Sequence, residues 1–264
     1  MITADQLRTL ARKAGLVAGI VEKDYALTWL LHGLYAKDSR LRNSFVLKGG
    51  TAIRKVYFPE TWRFSEDLDF TLVGAMEEST VRGGLLDSFE RIRSLCGMKY
   101  VLDSFHANPG AIIASVQFFG PLNFPNRIMH DISLKEKMAL KPERHNVNSS
   151  YPDLHDFKVF VYSLSEIVAE KIRSIMQRGY SRDYYDVWRL LKEGKLNATE
   201  ITSTLVSKCA SIGFEYKPRL IFDGSRLKEA KSFWKAGLGH LTQELPEFDK
   251  VLDELRESLR FLEI

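Results

Sequence analysis

Phe45-Val46-Leu47-Lys48-Gly49-Gly50-Thr51, followed by Arg63-Phe64-Ser65-Glu66-Asp67-Leu68-Asp69-Phe70, carries more structural information than any other part of the chain. It predicts a strand, a glycine turn entering a helix, and a second strand bearing two carboxylates two residues apart. Side chains at i and i+2 of a strand share a face, so Asp67 and Asp69 point together while Leu68, Phe70 and Leu72 turn into a core. Arg63 and Ser65 alternate with them onto the same face, where they are candidates to bond or neutralise a phosphate oxygen. Glu66 faces away and reads as structural. Paired carboxylates can hold a divalent metal. Gly49 and Gly50 allow backbone N–H groups to approach a phosphate closely, and a helix opening at Thr51 adds its positive dipole end there. A phosphate cradle beside metal-binding carboxylates suggests a nucleotide site.

Around this centre the pattern is mixed. Strands are expected at 45–47, 67–73, 112–119, 127–134 and 157–162, with helices near 51–57 and 77–95. Upstream, a helical segment runs from about Thr3 to Tyr35, with capping-box spacing at Thr3 and Gln6 and with Leu7, Leu10, Ala11 and Ala14 at helical intervals. Lys141 to Asp156, with Pro142, Asn146, Asn148, Ser149, Ser150 and Pro152, reads as a polar loop. At Ser163 the chain turns helical: Ser163 and Glu166 repeat the capping-box spacing, and Ile167, Val168, Ile172, Ile175 and Met176 form an apolar stripe. A last amphipathic helix is expected over Leu241 to Ile264, after Pro246, closing a C-terminal bundle. The fold class is therefore α+β. Three parts are expected: an N-terminal helical element at 1–40, a mixed-sheet core with helices at 41–163, and a C-terminal helical domain at 164–264.

Composition narrows the class. Of 264 residues, 45% are apolar and 27% charged, as in an ordinary globular protein. The apolar stretch from Gly15 to Tyr35 is broken by Glu22, Lys23, Asp24 and His32, so it is neither a membrane span nor a signal peptide. With only Cys96 and Cys209, far apart, neither a disulfide framework nor a zinc site is expected, and a cytoplasmic location is. The six histidines show no ligand spacing, and P-loop, nucleophile-elbow, H-E-x-x-H and C-x-x-C patterns are absent. A net charge of +4 is too small to mark a nucleic-acid binder alone. Its distribution says more: Lys171, Arg173, Arg178 and Arg182 stand in an acid-free run. Residues 205–235 hold seven Lys/Arg against three acids, interleaved with Phe214, Tyr216, Phe222, Phe233 and Trp234. Such a stretch could track a phosphate backbone and stack bases, or be a solvated face over a packed helix.

L-K-G-G-T-A-I-R-K-V-Y with R-F-S-E-D-L-D-F resembles the signature of the AbiEii/AbiGii toxin family, a branch of the polymerase β-like nucleotidyltransferase superfamily that is similar to the MenT toxins. Glu22-Lys23-Asp24-Tyr25, Asp131-Ile132-Ser133, Glu170-Lys171 and Arg182-Asp183-Tyr184-Tyr185-Asp186 fit the same pattern, so the resemblance covers roughly residues 20–190. Fifteen residues separate Thr51 from Asp67, more than in many superfamily members, where serine is also common in the glycine motif.

The resemblance implies a polymerase β-like core and a metal-dependent transfer of a nucleotide from an NTP. It places the third metal acid at Asp131, within the strand-like run Arg127 to Ser133, beside Asp67 and Asp69. Mg²⁺ or Mn²⁺ is the implied cofactor, because these ions prefer oxygen ligands. It gives Lys171 a triphosphate contact and marks Asp183 and Asp186 as functional. Spacing puts both aspartates on adjacent turns of one helix face, and leaves open whether Asp183 positions the attacking hydroxyl or orients Lys171 or Arg182. The implied role is the toxin of a bacterial toxin–antitoxin or abortive-infection system acting in phage defence. Its partners would be a cognate antitoxin and an RNA acceptor such as tRNA, with no membrane. Two rivals remain: an antibiotic-type nucleotidyltransferase acting on a small molecule, and a nucleotide-binding regulator without turnover.

Overall fold

In the computed structural model, which describes residues 1–147 and 149–263, internal contacts divide the chain into two units. Met1–Lys135 with Pro142–Val161 form the first, and Glu136–Lys141 with the chain from Tyr162 onward form the second. Asn148 of the expected loop and Ile264 of the expected last helix lie outside the described residues.

The first unit begins with α1 (Ala4–Ala14) and α2 (Ala18–Leu34). Both halves of the expected capping box form, since the Gln6 N–H donates to Thr3 Oγ1 at 3.2 Å and the Thr3 N–H donates to Gln6 Oε1 at 2.8 Å. Then follow β1 (Phe45–Lys48), α3 (Gly49–Ala52) running into a π-type turn at Ile53–Tyr57, β2 (Leu68–Leu72) and α4 (Glu78–Cys96). The remaining strands are β3 (Lys99–Ala107), β4 (Ala111–Phe119), β5 (Pro125–Ser133), β6 (Glu143–Val147) and β7 (Phe157–Val161). The described strands make a seven-stranded sheet in the order β3-β4-β5-β2-β1-β7-β6. β2 runs parallel to β5 and β1 parallel to β7, while the other neighbours are antiparallel, so the sheet is mixed. Phe45, Leu47, Leu68, Phe70, Ile128, Ile132, Val159 and Val161 are buried, and α2 packs on α4, which packs on β3.

Two of these strands depart from the sequence expectation. β3 is unannounced because a bulge between Leu102 and Ser104 breaks its two-residue period. β6 replaces part of the expected polar loop. It is an edge strand of Glu143, Arg144, His145 and Asn146, whose polar side chains suit a half-solvated edge and hide the usual apolar alternation.

A buried ion cluster ties this unit together. Asp24 on α2 accepts from Arg54 Nε at 2.8 Å, Lys55 Nζ at 2.6 Å and the Tyr151 hydroxyl at 2.6 Å. Arg54 also donates to the Trp62 carbonyl at 2.6 Å and lies 3.5 Å from the Phe64 ring centre. One carboxylate thus joins α2, the turn after α3, the chain leading into β2 and the segment before β7. Burial alone would raise the Asp24 pKa, but the Lys55 and Arg54 charges win and hold it well below the usual carboxylate range.

The second unit is helical: α5 (Leu164–Gln177), α6 (Ser181–Glu193), α7 (Ala198–Ser211), α8 (Gly224–Ser232), α9 (Trp234–Leu238) and α10 (Phe248–Ser258). α5 packs on α6 and α7, and α6 on α10. Ser163 caps α5 by accepting from the Glu166 N–H, but only half of the expected box forms. The Glu166 carboxylate instead accepts from the Ala139 and Leu140 N–H groups, at 2.8 Å each, and meets Lys208 Nζ at 3.0 Å. The expected final helix shortens to α10 and a 3₁₀ turn at Arg260–Leu262, because Pro246 and its neighbours form an irregular approach. Among the described residues no helix is long and apolar enough to cross a membrane.

Asp24→Asn leaves Arg54 and Lys55 buried without their counter-charge, and should lower unfolding free energy by about 3–5 kcal/mol. Because the folded carboxyl titrates below its ordinary value, its stabilisation is complete above the ordinary carboxylate range and is lost as pH falls below it. Urea titrations across that range should show the acid-side loss in the parent protein and a flatter profile in Asp24→Asn.

Candidate active site

β1 ends at Lys48, whose extended backbone hands over to Gly49 at φ 71°, a left-handed conformation that favours glycine. A Cβ at Gly49 would overlap Asp69 Oδ2, so the absent side chain is what lets Asp69 lie over the turn. At Gly50 a Cβ would stand 3.1 Å from both Arg63 Nη2 and Ser65 Oγ, which places those two side chains against the second glycine. Thr51 is fully buried, and its hydroxyl donates to the Asp67 carbonyl at 2.5 Å. The glycine turn therefore packs directly on the segment that carries the carboxylates. Thr51 holds the backbone of one of them.

Strand register does the rest. In β1 and β2 Lys48 stands opposite Asp69, and in β2 and β5 Asp69 stands beside Asp131. Residues in direct register share a face, so Lys48, Asp69 and Asp131 form a row across three adjacent strands. Leu68, Phe70, Ile128, His130 and Ile132 alternate onto the buried face. Asp67 precedes β2 by one residue; Asp67 and Asp69 are half-buried and Asp131 is exposed. Lys48, buried in this row, is the residue that sequence reasoning missed. Its adjacency to Gly49 was the available signal, but only strand pairing sets it against Asp69. His130 is fully buried, and burial pushes its pKa down to about 4, as for a neutral packing residue.

Among the described residues, no group of three or more His, Cys, Asp or Glu side chains is assembled into a metal cage. The row nevertheless suits a hard divalent ion. Asp69 and Asp131 offer carboxylate oxygens from neighbouring strands, and the bare Gly49 lets the Asp69 carboxylate lie against the glycine turn. Mg²⁺ commonly takes only one or two protein carboxylates and completes its shell with phosphates and water.

In the helical unit, Lys171 on α5 is buried and paired twice, 2.9 Å from Asp183 Oδ1 and 2.8 Å from Asp186 Oδ2 on α6. Arg178 Nε lies 3.6 Å from Asp183 Oδ2. Both aspartates therefore hold the same lysine, a convergence that spacing alone left undecided. Glu170 turns toward Lys208 and Arg173, and Arg182 Nε donates to the Gly237 carbonyl at 3.1 Å.

The basic stretch at 205–235 is less uniform than its sequence suggests. Lys208 is buried against Glu136, Glu166 and Glu170, and Trp234 packs among Tyr185 and Phe248. Burial alone would depress the Lys208 pKa, but Glu170, Glu136, Tyr162 and Glu166 together raise it. Lys217, Arg226 and Lys231 each face a nearby acid, while Lys217, Arg219, Lys228, Lys231 and Lys235 are exposed.

A family model described as nucleotidyl transferase AbiEii toxin, type IV TA system, matches residues 32–254. An uncharacterized protein of Aquifex aeolicus is 24% identical over 200 residues, which cover 73% of this chain and 82% of that protein. MenT4, a nucleotidyltransferase toxin of Mycobacterium tuberculosis, has a similar fold, with a TM-score of 0.75 at 19% identity over 99% of this chain and 90% of the toxin.

Gly49→Ala forces a side chain into a left-handed backbone and against Asp69, and should cost on the order of 1–2 kcal/mol, read from denaturant midpoints. Lys171→Met leaves two carboxylates buried together and should cost about 3–5 kcal/mol. Adding Asp183→Asn and Asp186→Asn should recover part of that loss, whereas three independent sites would lose stability additively.

Proposed function

Because this chain belongs to the nucleotidyl transferase AbiEii toxin family of type IV toxin–antitoxin systems, and is thus a nucleotidyltransferase, we propose that it moves a nucleotide from an NTP to an RNA acceptor with the help of a divalent cation. tRNA is the first acceptor to test, and the cognate antitoxin is the partner that would restrain the activity. In such a transfer a hydroxyl attacks the α-phosphate and pyrophosphate leaves, so negative charge gathers on three groups at once. The observation that carries the reading is the row Lys48–Asp69–Asp131 with Gly49 pressed on Asp69.

Each residue has a distinct part. Gly49 and Gly50 present backbone without side chains, so phosphate oxygens can reach main-chain N–H groups. Arg63 and Ser65, packed against Gly50, supply a fixed charge and a hydroxyl beside that cradle. Thr51 keeps the Asp67 backbone in place through its hydrogen bond. Asp67, Asp69 and Asp131 would hold the cation, which when bound polarises the phosphate and stabilises the departing pyrophosphate. Asp131, the exposed member, is the carboxylate that an incoming acceptor hydroxyl can meet. Lys48 offsets the negative charge of the row from the neighbouring strand. In the helical unit, Asp183 and Asp186 fix the ammonium of Lys171, the residue that the family resemblance assigns to the triphosphate. An RNA acceptor suits the exposed cations Arg219, Lys228 and Lys235.

Incubation with each labelled NTP, Mg²⁺ and total tRNA tests the reading. Label should enter tRNA, vanish with a chelator, and fall by at least about 100-fold in Asp69→Asn and in Asp131→Asn, with thermal melting confirming that each variant is folded at the assay temperature. Near-parental transfer in either variant would remove the carboxylate assignment, and label appearing only in small molecules would remove the RNA acceptor.

A further inference from the structure

We propose that a groove between Tyr180 and Phe233, within the helical unit, binds an unpaired base of single-stranded RNA. This rests on the RNA-acceptor reading and adds a site to it. The groove encloses about 430 Å³ and is lined by Tyr180, Arg182, Phe233 and the side-chain-free Gly179 and Gly237. That size is within the range of small-ligand clefts, about 300–1,000 Å³.

The aromatic exposure is selective. Tyr184, Tyr185 and Trp234, their sequence neighbours, are buried in the helical core, whereas Tyr180 is 54% and Phe233 59% exposed. Two solvated rings that line one groove leave π-faces on which a base can stack. Charge complements the rings. The Arg178 guanidinium lies 4.6 Å from the Tyr180 ring centre, Arg182 is anchored to the Gly237 carbonyl, and the Arg226 chain packs against Gly179. One carboxylate, Glu229, lines the groove, and Asp183 and Asp223 partly balance Arg178 and Arg226. Rings flanked by guanidinium groups suit a base with its phosphates better than an apolar peptide side chain. A base is available to such a groove only where it is unpaired, since an A-form duplex stacks its bases away from side chains.

The test uses the full chain and a short single-stranded RNA carrying 2-aminopurine, whose fluorescence drops on stacking. The parent protein should quench it. Tyr180→Ala and Phe233→Ala should each weaken binding about 5- to 100-fold and abolish the quench, while Phe233→Trp should keep both. The same RNA annealed to its complement should not be quenched. Transfer of NTP label to RNA by the parent protein, followed in parallel, separates the two ideas. Label that never enters RNA would sink the RNA-acceptor reading, whereas parental RNA affinity and quench in both alanine variants would sink the groove. A parent dimer that Phe233→Ala turns into monomer would also overturn the proposal, because the groove would then belong to a second copy of the chain.

Discussion

The Asp24 carboxylate is the constraint on which the first unit depends. It accepts from Arg54, Lys55 and Tyr151 at once, and Arg54 in turn grips the Trp62 carbonyl and the Phe64 ring. These contacts connect a helix, the turn leaving the glycine pair and the chain arriving at the carboxylate strand. The turn leaving the glycine pair and the chain entering the carboxylate strand are thus tied to the same helix. Arg54 and Lys55 are adjacent in sequence and would diverge by about 100° on a regular helix. The widened π-type turn they occupy accompanies their shared grip on one carboxylate.

The helical unit uses the same device with the signs reversed. Lys171 sits between Asp183 and Asp186, and Lys208 among Glu136, Glu166 and Glu170. Burying a charge costs several kcal/mol unless partners surround it. A lone basic residue in either place would be expelled or neutralised. Surrounded by acids, each instead fixes where its helices meet: α5 against α6 through Lys171, and α5 against α7 and the 136–141 segment through Lys208. Such pairs tolerate little sliding, because a shift of one residue breaks every bond of the cluster together.

Nucleotidyl transfer asks a protein for placed charge more than for covalent chemistry. A fold that orders backbone N–H groups, a lysine and carboxylates along one strip of sheet meets that need with little motion. The row Lys48–Asp69–Asp131 is the strip proposed for that role, and strand pairing fixes its register. Membership of the AbiEii family gives the chain its nucleotidyltransferase class, and the fold it shares with MenT4 shows how far the architecture persists at low identity.

Local patterns were legible in the amino-acid order. The glycine pair, the alternation that sets Asp67 and Asp69 apart from Leu68 and Phe70, the Thr3 capping box and the shift to helices at Ser163 all depend on neighbours within a few residues. The α+β class follows from them. Tertiary structure decided what periodicity cannot encode. Asp131 meets Asp69 through parallel pairing of strands far apart in sequence, and Lys48 joins them only by register. A bulge hid β3, a polar edge hid β6, and three distant glutamates turned Lys208 from an expected surface cation into a buried one. Sequence pattern reports which face a residue occupies along its own element. Which residues share that face across elements is set by long-range pairing and by the cost of leaving a buried charge alone.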